Sequence, residues 1–164
     1  MRVSINYILM KFEKTMGFYD SNRLGDILFI FHKNHKTYLN DELSKYDLSL
    51  ISALCILMIH ESEELNQKDL SDGLYLTKGA ITKSVKKLER DGWILRERSE
   101  NDKRHFILKL TSKGNNFIPI MKEVNDKWES EMGLDGLNYN FRKTFIELTH
   151  RAIDLNLKKE NEKD

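Results

Sequence analysis

The chain has 164 residues, 40% hydrophobic and 32% charged, with a formal net charge of +1. A domain of this length can fold without disulfides or metals, and this composition excludes a disordered chain and a membrane protein. The longest apolar run, residues 53–59, is too short to cross a bilayer, and the N-terminus lacks a signal-peptide cleavage site. With a single cysteine, Cys55, the sequence predicts a soluble domain of the reducing cytoplasm.

The first half of the chain predicts two long helices, because one proline and eight glycines leave few helix breakers. The first helix follows a cap near residues 20–22. Its wide apolar stripe predicts cover on two sides, through Leu24, Ile27, Leu28, Phe29, Ile30 and Phe31. The second helix is capped by Ser49 and runs through Met58. Because it is apolar nearly all round, we expect it at the centre of the core.

Two shorter helices joined by a tight turn come next. Asn66 and Asp69 have the spacing of a capping pair, and this helix is predicted to end near Gly73. Thr77 is the predicted cap of the following helix, which Gly92 stops. The inward face of that helix is predicted to consist of Ile81, Val85 and Leu88.

The remaining elements are a hairpin and two further helices. Residues 93–98 and 106–110 are enriched in β-branched and aromatic residues at the positions predicted to face inward, and they flank a polar, basic tip. Thr111 or Ser112 caps the next helix, which Pro119 is predicted to kink. Gly133 and Gly136 mark a break before the last helix, and the charged tail 158–164 is expected to fray.

Basic charge is concentrated in one part of the chain. Residues 78–113 contain eleven basic and five acidic residues, so this segment carries +6 while the remainder carries −5. Such a cluster is either the footprint of a polyanion or a solvated helix face. The position of the charges decides between them, because they fall on one helix and on the hairpin tip that follows it.

Two helices, a tight turn and a hairpin define a winged helix-turn-helix. The predicted fold class is therefore mainly α with a small β-hairpin wing (α+β), flanked by N- and C-terminal helices. A helix of this kind fits the major groove of DNA, and a basic hairpin tip reaches the adjacent minor groove. We assign residues 1–45 to an N-terminal extension and dimerisation helix, 46–116 to the DNA-binding domain, and 117–164 to C-terminal dimerisation helices.

From Leu50 to about Trp128 the sequence resembles the MarR family of transcriptional regulators. The matching segments are 67–70 (QKDL), 81–83 (ITK), 88–92 (LERDG), 102–104 (DKR) and 110–114 (LTSKG). The resemblance implies a homodimer in which each winged helix reads one half of a pseudo-palindromic operator in double-stranded DNA. It also implies that Arg104 enters the minor groove, held by an ion pair with Asp102.

This chain departs from the family's pattern in two places. Lys83 stands where the family more often has arginine, which would lose bidentate base recognition. Residues 1–16 extend beyond the common start, as an added dimer-contact helix or through an upstream start codon, with Met10 and Met16 as alternative starts. The predicted DNA-contacting residues are Gln67, Lys68, Thr77, Lys78, Gly79, Thr82, Lys83, Lys86, Arg98, Asp102, Lys103 and Arg104.

The first helix carries a second candidate site. Similar proteins bind phenolic acids in this region, so this segment is either a site for a small anionic aromatic effector or ordinary surface. Two of its histidines have a metal-chelating spacing, but no cysteine or carboxylate pattern completes a metal site. The candidate ligand-binding residues are His32, Lys33, His35, Lys36 and Tyr38.

The sequence contains no enzyme signature, since it has no phosphate-binding loop, metalloprotease motif or nucleophile with an identifiable base. It therefore predicts no catalytic residue, cofactor or metal. Cys55 lies in the most apolar helix without a basic neighbour, which favours a buried structural cysteine over a redox sensor. A repressor released by its ligand is the favoured function. The alternative is a winged helix that contacts protein or RNA without operator binding.

Overall fold

The computed structural model describes residues 23–62, 64–99 and 106–161, and it divides after Lys122 into two compact units. The first unit contains the winged helix-turn-helix, and the mainly helical fold with one hairpin is as predicted. Its elements are α1 (Leu24–Ser44), α2 (Leu50–His60), α3 (Gln67–Gly73), α4 (Lys78–Arg90), β1 (Ile94–Arg98), β2 (Phe106–Leu110) and the start of α5 (Ser112–Glu131). The second unit contains the end of α5, a 3-10 turn at Leu134–Gly136 and α6 (Tyr139–Asn161).

Helix α2 occupies the centre of the first unit, as its composition predicted. Ser49 caps it by accepting a hydrogen bond from the backbone N–H of Ser52 at 3.2 Å. Ala53, Cys55 and Ile56 are completely buried. The helix packs against α1, α4 and β2, so α2 holds the DNA-reading elements of a winged helix on one support.

The hairpin follows α4 after a short turn at residues 91–93. Gly92 has a φ of 74°, in the left-handed region that ends helices, and this confirms the predicted stop. The two strands pair antiparallel from Ile94 opposite Leu110 to Arg98 opposite Phe106. Ile94 and Ile107 are buried as predicted, whereas the aromatic Phe106 is exposed, so the prediction of inward aromatic residues is wrong for Phe106.

A third short partner completes the hairpin's far edge. The backbone N–H of Leu108 donates to the carbonyl of Leu65 at 2.8 Å, which forms an isolated antiparallel bridge before α3. This pairing ties the wing to the start of the helix-turn-helix. The sequence did not predict it, because a one-residue bridge has no periodicity.

Thr111 is the cap of α5. Its Oγ1 accepts from the backbone N–H of Gly114 at 3.2 Å and donates to the carbonyl of Gly92 at 2.7 Å. One side chain therefore starts α5 and fixes it to the end of α4. The helix continues through Pro119 to Glu131.

Both terminal helices differ from their predictions. Helix α1 begins at Leu24, so its N-cap is Arg23, which makes no capping bond, instead of a residue in 20–22. Helix α6 extends to Asn161, into the tail 158–164 for which fraying was expected. Residues 1–16, for which two origins were considered, lie outside the described part of the chain.

The described residues do not provide the predicted cover on two sides of α1. The apolar side chains at its start are exposed, and its buried residues are Leu39 and Leu43 near its end. Helix α6 likewise leaves much of its apolar surface exposed, including a stacked pair of rings, Phe141 and Phe145, at 6.1 Å. The hydrophobic pattern predicts burial of these residues, and the described residues leave them exposed.

Candidate nucleic-acid interface

The start of α3 is fixed by a reciprocal cap. The side chain of Asn66 accepts from the backbone N–H groups of Lys68 and Asp69, at 2.8 and 3.1 Å, while Asp69 Oδ2 accepts from the Asn66 N–H at 2.9 Å. This confirms the predicted capping pair. Lys68 in the first turn remains exposed beside it.

The turn between α3 and α4 is held by two hydroxyl groups. The buried Ser71 donates to the carbonyl of Leu76 at 2.6 Å. Thr77 caps α4 as predicted, accepting from the N–H of Ala80 at 3.3 Å. Between them, Tyr75 adopts a left-handed φ of 53° and is exposed. The turn thus sets the direction in which α4 leaves α3.

Helix α4 presents one apolar and one basic face. Ile81, Val85 and Leu88 are completely buried, as predicted, and Ser84 joins them at 8% exposure. At about 100° per residue, the opposite side carries Gly79, Lys83 and Lys86, all exposed. These are the outward residues that the sequence predicted as the recognition surface.

The cations near this surface fall into two groups. The exposed residues Lys68, Lys78, Lys83 and Lys86 make no ion pair with any residue in the described ranges. An unpaired surface ammonium group can replace the counterions of a phosphate. We refer to these four lysines as the free lysine set.

The second group of cations forms ion pairs within the protein. Lys87 Nζ lies 2.9 Å from Asp47 Oδ2 and 3.0 Å from Asp91 Oδ2, and these two carboxylates raise its pKa. Arg90 Nε lies 2.8 Å from Asp91 Oδ1. The hydrogen bonds from Arg90 and then Lys87 lower the pKa of Asp91 to about 2. Neither cation is therefore counted in the DNA-contacting surface.

The hairpin carries further charges. The Arg98 guanidinium lies 5.8 Å from the centre of the Phe106 ring, directly across the strand pair. Lys109 Nζ lies 2.8 Å from Glu97 Oε2. The predicted tip residues Asp102, Lys103 and Arg104 lie outside the described residues.

Two predicted contacts, Gln67 and Thr82, are bonded to each other. Gln67 Nε2 donates to Thr82 Oγ1, and Gln67 Oε1 accepts from the guanidinium of Arg96 at 3.2 Å. Arg96 Nε also lies 3.3 Å from Glu89 Oε2. Neither Arg96 nor Glu89 was among the predicted DNA contacts, although Glu89 lies in the segment 88–92 that resembles the family. No local spacing could have found them, because Arg96 follows Gln67 by 29 positions.

The candidate effector residues all lie on α1. Three of them, His32, Lys33 and Lys36, are exposed, while His35 and Tyr38 are half-buried. Burial, and then the charge of His32, lower the pKa of His35. The Tyr38 hydroxyl is buried and makes no hydrogen bond with a described residue. The helix therefore brings a cationic edge beside a partly buried aromatic side.

Burial determines the reactivity of Cys55, and the arrangement of His, Cys, Asp and Glu side chains determines whether a metal ion could bind. The Cys55 side chain is completely buried, and this burial raises the pKa of its thiol to about 11. A thiol that stays protonated at neutral pH is a poor nucleophile. Within the described ranges, no three His, Cys, Asp or Glu side chains form a group that could hold a metal ion.

These features define a class of protein. A capped helix-turn-helix, a following hairpin and an outward helix with unpaired cations are the elements of a winged helix-turn-helix that binds DNA. None of the helices that the structure describes combines the length and the apolar character needed to span a membrane.

Comparison with known proteins gives the family. The MarR family model matches residues 48–106. The regulator SarZ of Staphylococcus haemolyticus (strain JCSC1435) is 33% identical over 109 residues, which cover 66% of this chain and 74% of SarZ. The chain belongs to the MarR family, and it is a DNA-binding transcriptional regulator.

Solved structures share the fold over most of the chain. FabT of Streptococcus pneumoniae in complex with DNA is 28% identical with a TM-score of 0.71, covering 83% of this chain and 99% of that one. CouR of Rhodococcus jostii RHA1, bound to p-coumaroyl-CoA, is 19% identical with a TM-score of 0.72, covering 79% of this chain and 90% of that one. At this lower identity, the second likeness concerns the fold alone.

Proposed function

We propose that this regulator is a homodimeric repressor of a pseudo-palindromic DNA operator and that a small anionic aromatic ligand releases it. The observation that carries the DNA-binding surface is the free lysine set, which lies on the outward face of α4 and at the start of α3. Protein docking would instead favour exposed apolar side chains on this face. The complex of FabT with DNA supports the same use of the fold.

We assign the contacts by element. The start of α3 and the outward face of α4 meet the major groove, and the hairpin meets the neighbouring minor groove. The region 46–116 forms the DNA-binding domain. Asp102, Lys103 and Arg104, which lie outside the described residues, are assigned to DNA contact on the family resemblance. The other contacts are Gln67, Lys68, Thr77, Lys78, Gly79, Thr82, Lys83, Lys86 and Arg98.

The dimer is proposed from exposed apolar surface on both terminal helices. Leu24 and Phe29 on α1 are 54% and 52% exposed, and Phe141 on α6 is 52% exposed. Large apolar patches of this kind mark protein interfaces. The regions 1–45 and 117–164 therefore serve dimerisation, and a two-fold axis dictates half-sites about 10 bp apart or a multiple of that spacing.

The effector is assigned to His32, Lys33, His35, Lys36 and Tyr38 on α1. Exposed lysines would attract a carboxylate, and the Tyr38 hydroxyl, which lacks a partner among the described residues, would bond to it. CouR, which has the same fold, binds p-coumaroyl-CoA, so this fold can accommodate a ligand with an aromatic group.

The test is selection of bound duplexes from random-sequence DNA, followed by anisotropy titration and light scattering. We expect a symmetric operator, a dimer at micromolar concentration, and release by salicylate that Lys33→Ala weakens. A monomer, or selected sequences without two-fold symmetry, would contradict the dimeric operator complex. Tighter binding to an RNA duplex would favour the alternative function. Side chains cannot enter the deep, narrow major groove of A-form RNA, so such binding would not use α4 as a major-groove reader.

A further inference from the structure

Four polar side chains form three contacts between α3, α4 and β1, and the backbone of α4 closes these contacts into a circuit. Gln67 donates to Thr82 and accepts from Arg96 at 3.2 Å, and Arg96 pairs with Glu89 at 3.3 Å. Thr82 and Glu89 are seven residues apart on α4 and lie on the same side of it. The circuit therefore holds α4 at two points, two turns apart. We call Gln67, Thr82, Glu89 and Arg96 the α4 clamp.

The hydrogen-bonding capacity of the clamp is largely used within the protein. Thr82 Oγ1 donates its single hydrogen to the carbonyl of Lys78 at 2.7 Å and accepts from Gln67. Both ends of the Gln67 amide are engaged as well. In this arrangement Thr82 has no hydrogen left to donate to a base, and the Gln67 carbonyl already has a donor.

The clamp is expected to affect the orientation of α4 more than the free energy of unfolding. The Arg96 and Glu89 side chains are 32% and 41% exposed, and ion pairs at such positions contribute little to the free energy of unfolding. A glutamate beside a DNA-binding surface also repels phosphate. The ion pair with Arg96 gives Glu89 a structural role despite this repulsion.

We propose that the α4 clamp fixes the angle of the recognition helix to the wing strand β1, so that α4 and the hairpin enter their two grooves together. Gln67, Glu89 and Arg96 are then positioning residues for sequence discrimination. The proposal rests on the proposed function, because it requires that both elements contact DNA. It replaces a direct base contact for Gln67 with an action through Thr82 and Arg96.

The test compares two glutamates that carry the same charge. Glu89 belongs to the clamp, whereas Glu97 on β1 pairs with Lys109 at 2.8 Å outside it. Dissociation constants are measured for the selected operator and for a version with one base pair changed in each half-site. Their ratio is the discrimination ratio, and unfolding midpoints verify that each variant is folded.

Glu97→Ala is expected to bind both duplexes more tightly and to leave the discrimination ratio unchanged, since it removes a negative charge and an ion pair that lie outside the clamp. Glu89→Ala is expected to lower that ratio about tenfold, the size of one good base contact. Glu89→Gln should restore most of the ratio, because its amide oxygen can still accept from Arg96. If Glu89→Ala behaves like Glu97→Ala, the clamp proposal is overturned.

A second measurement separates positioning from direct contact. Gln67→Ala and Arg96→Ala should each lower the discrimination ratio, and the double variant should lose little more than either single variant. Fully additive losses would mean independent DNA contacts and would overturn the clamp. If the unsubstituted protein shows no discrimination between the two duplexes, the proposed function fails as well, and this outcome is distinct from the others.

Discussion

The Oγ atoms of Ser52 on α2 and Ser84 on α4 lie 2.9 Å apart in the buried contact between these helices. Ser52 Oγ also lies 3.0 Å from Ser49 Oγ, the cap of α2. Ser52 is 1% exposed and Ser84 is 8% exposed, so their hydroxyl groups are removed from water and depend on these partners. The pair defines how the recognition helix sits on the central helix.

Removing one member of this pair is expected to destabilise the fold. Ser84→Ala should lower the free energy of unfolding by about 1–2 kcal/mol, because the Ser52 hydroxyl loses a partner inside an apolar contact. Ser52→Ala combined with Ser84→Ala should cost less than the two single changes together, since the hydrogen bond that they share is then lost only once. Urea unfolding measures all three variants, and fully additive costs would contradict the coupling.

Two glycines in the first turns of helices are expected to respond in opposite ways to the same change. A Cβ on Gly114 would lie 2.5 Å from the carbonyl oxygen of Trp93, whereas a Cβ on Gly79 would meet no atom within 4 Å. Gly114→Ala should therefore cost about 1–3 kcal/mol of unfolding free energy. Gly79→Ala should raise that free energy by up to about 1 kcal/mol, because it removes backbone freedom from the unfolded chain.

The Gly79 variant also tests the DNA contact. If a DNA backbone approaches α4 at this position, Gly79→Ala should be more stable to heat and yet bind the operator more weakly. No contact within the protein could explain such a loss, since the space around the added carbon is empty. Unchanged affinity would remove Gly79 from the proposed interface.

Local signals account for the part of this structure that the sequence predicted. Asn66 and Asp69 are three residues apart, and Thr77 directly precedes the helix it caps, so their hydrogen bonds follow from spacing alone. The buried face of α4 is likewise readable from the recurrence of Ile81, Val85 and Leu88. Local interactions of this kind were sufficient to predict the helix-turn-helix and the hairpin.

The unpredicted features are those that join distant parts of the chain. Asp47 pairs with Lys87 forty residues later, and Gln67 bonds to Arg96, and neither pair has a local spacing rule. As a result, helical periodicity selected Lys86 and not Lys87 as a DNA contact, but the sequence could not show that Lys87 is ion-paired. The predicted cover of the apolar start of α1 is not found among the described residues for a related reason. A hydrophobic stripe predicts burial without identifying the surface that covers it.

Burial of Cys55 is expected to make stability depend on pH at the alkaline end. Its pKa is about 11 in the folded chain and near 9.0 when exposed, so the folded state keeps a proton that the unfolded state loses. This contribution is complete below pH 9 and is lost as pH rises toward 11, at up to about 1.4 kcal/mol per pH unit.

Comparison with Cys55→Ala isolates this effect from other alkaline titrations. The unfolding free energy of the unsubstituted protein minus that of Cys55→Ala should be constant from pH 7 to 9 and should shrink between pH 9 and 11. A thiol reagent at pH 8 should react only after urea unfolding. Rapid reaction of the folded protein, or a pH-independent difference, would show that the thiol is accessible and would reopen a redox role.

Adjacent lysines on α4 give the sharpest test of which charges meet DNA. Lys86 belongs to the free lysine set, whereas Lys87 is held by Asp47 and Asp91 at 2.9 and 3.0 Å. The logarithm of the binding constant falls against the logarithm of salt concentration by about 0.9 per neutralised phosphate. Lys86→Ala should therefore reduce this slope by about one per contacted phosphate and weaken binding to all sequences alike.

Lys87→Ala is the matched control, because it removes the same charge one position further along the helix. We expect it to lower the unfolding midpoint, since it frees two carboxylates and detaches α4 from the turn at Asp47, while the salt slope of DNA binding stays near that of the unsubstituted protein. Anisotropy titrations at four salt concentrations measure the slopes, and thermal unfolding measures the midpoints. If Lys87→Ala reduces the slope as much as Lys86→Ala does, pairing within the protein does not decide which cations reach the phosphates, and the free lysine set is not the DNA-binding surface.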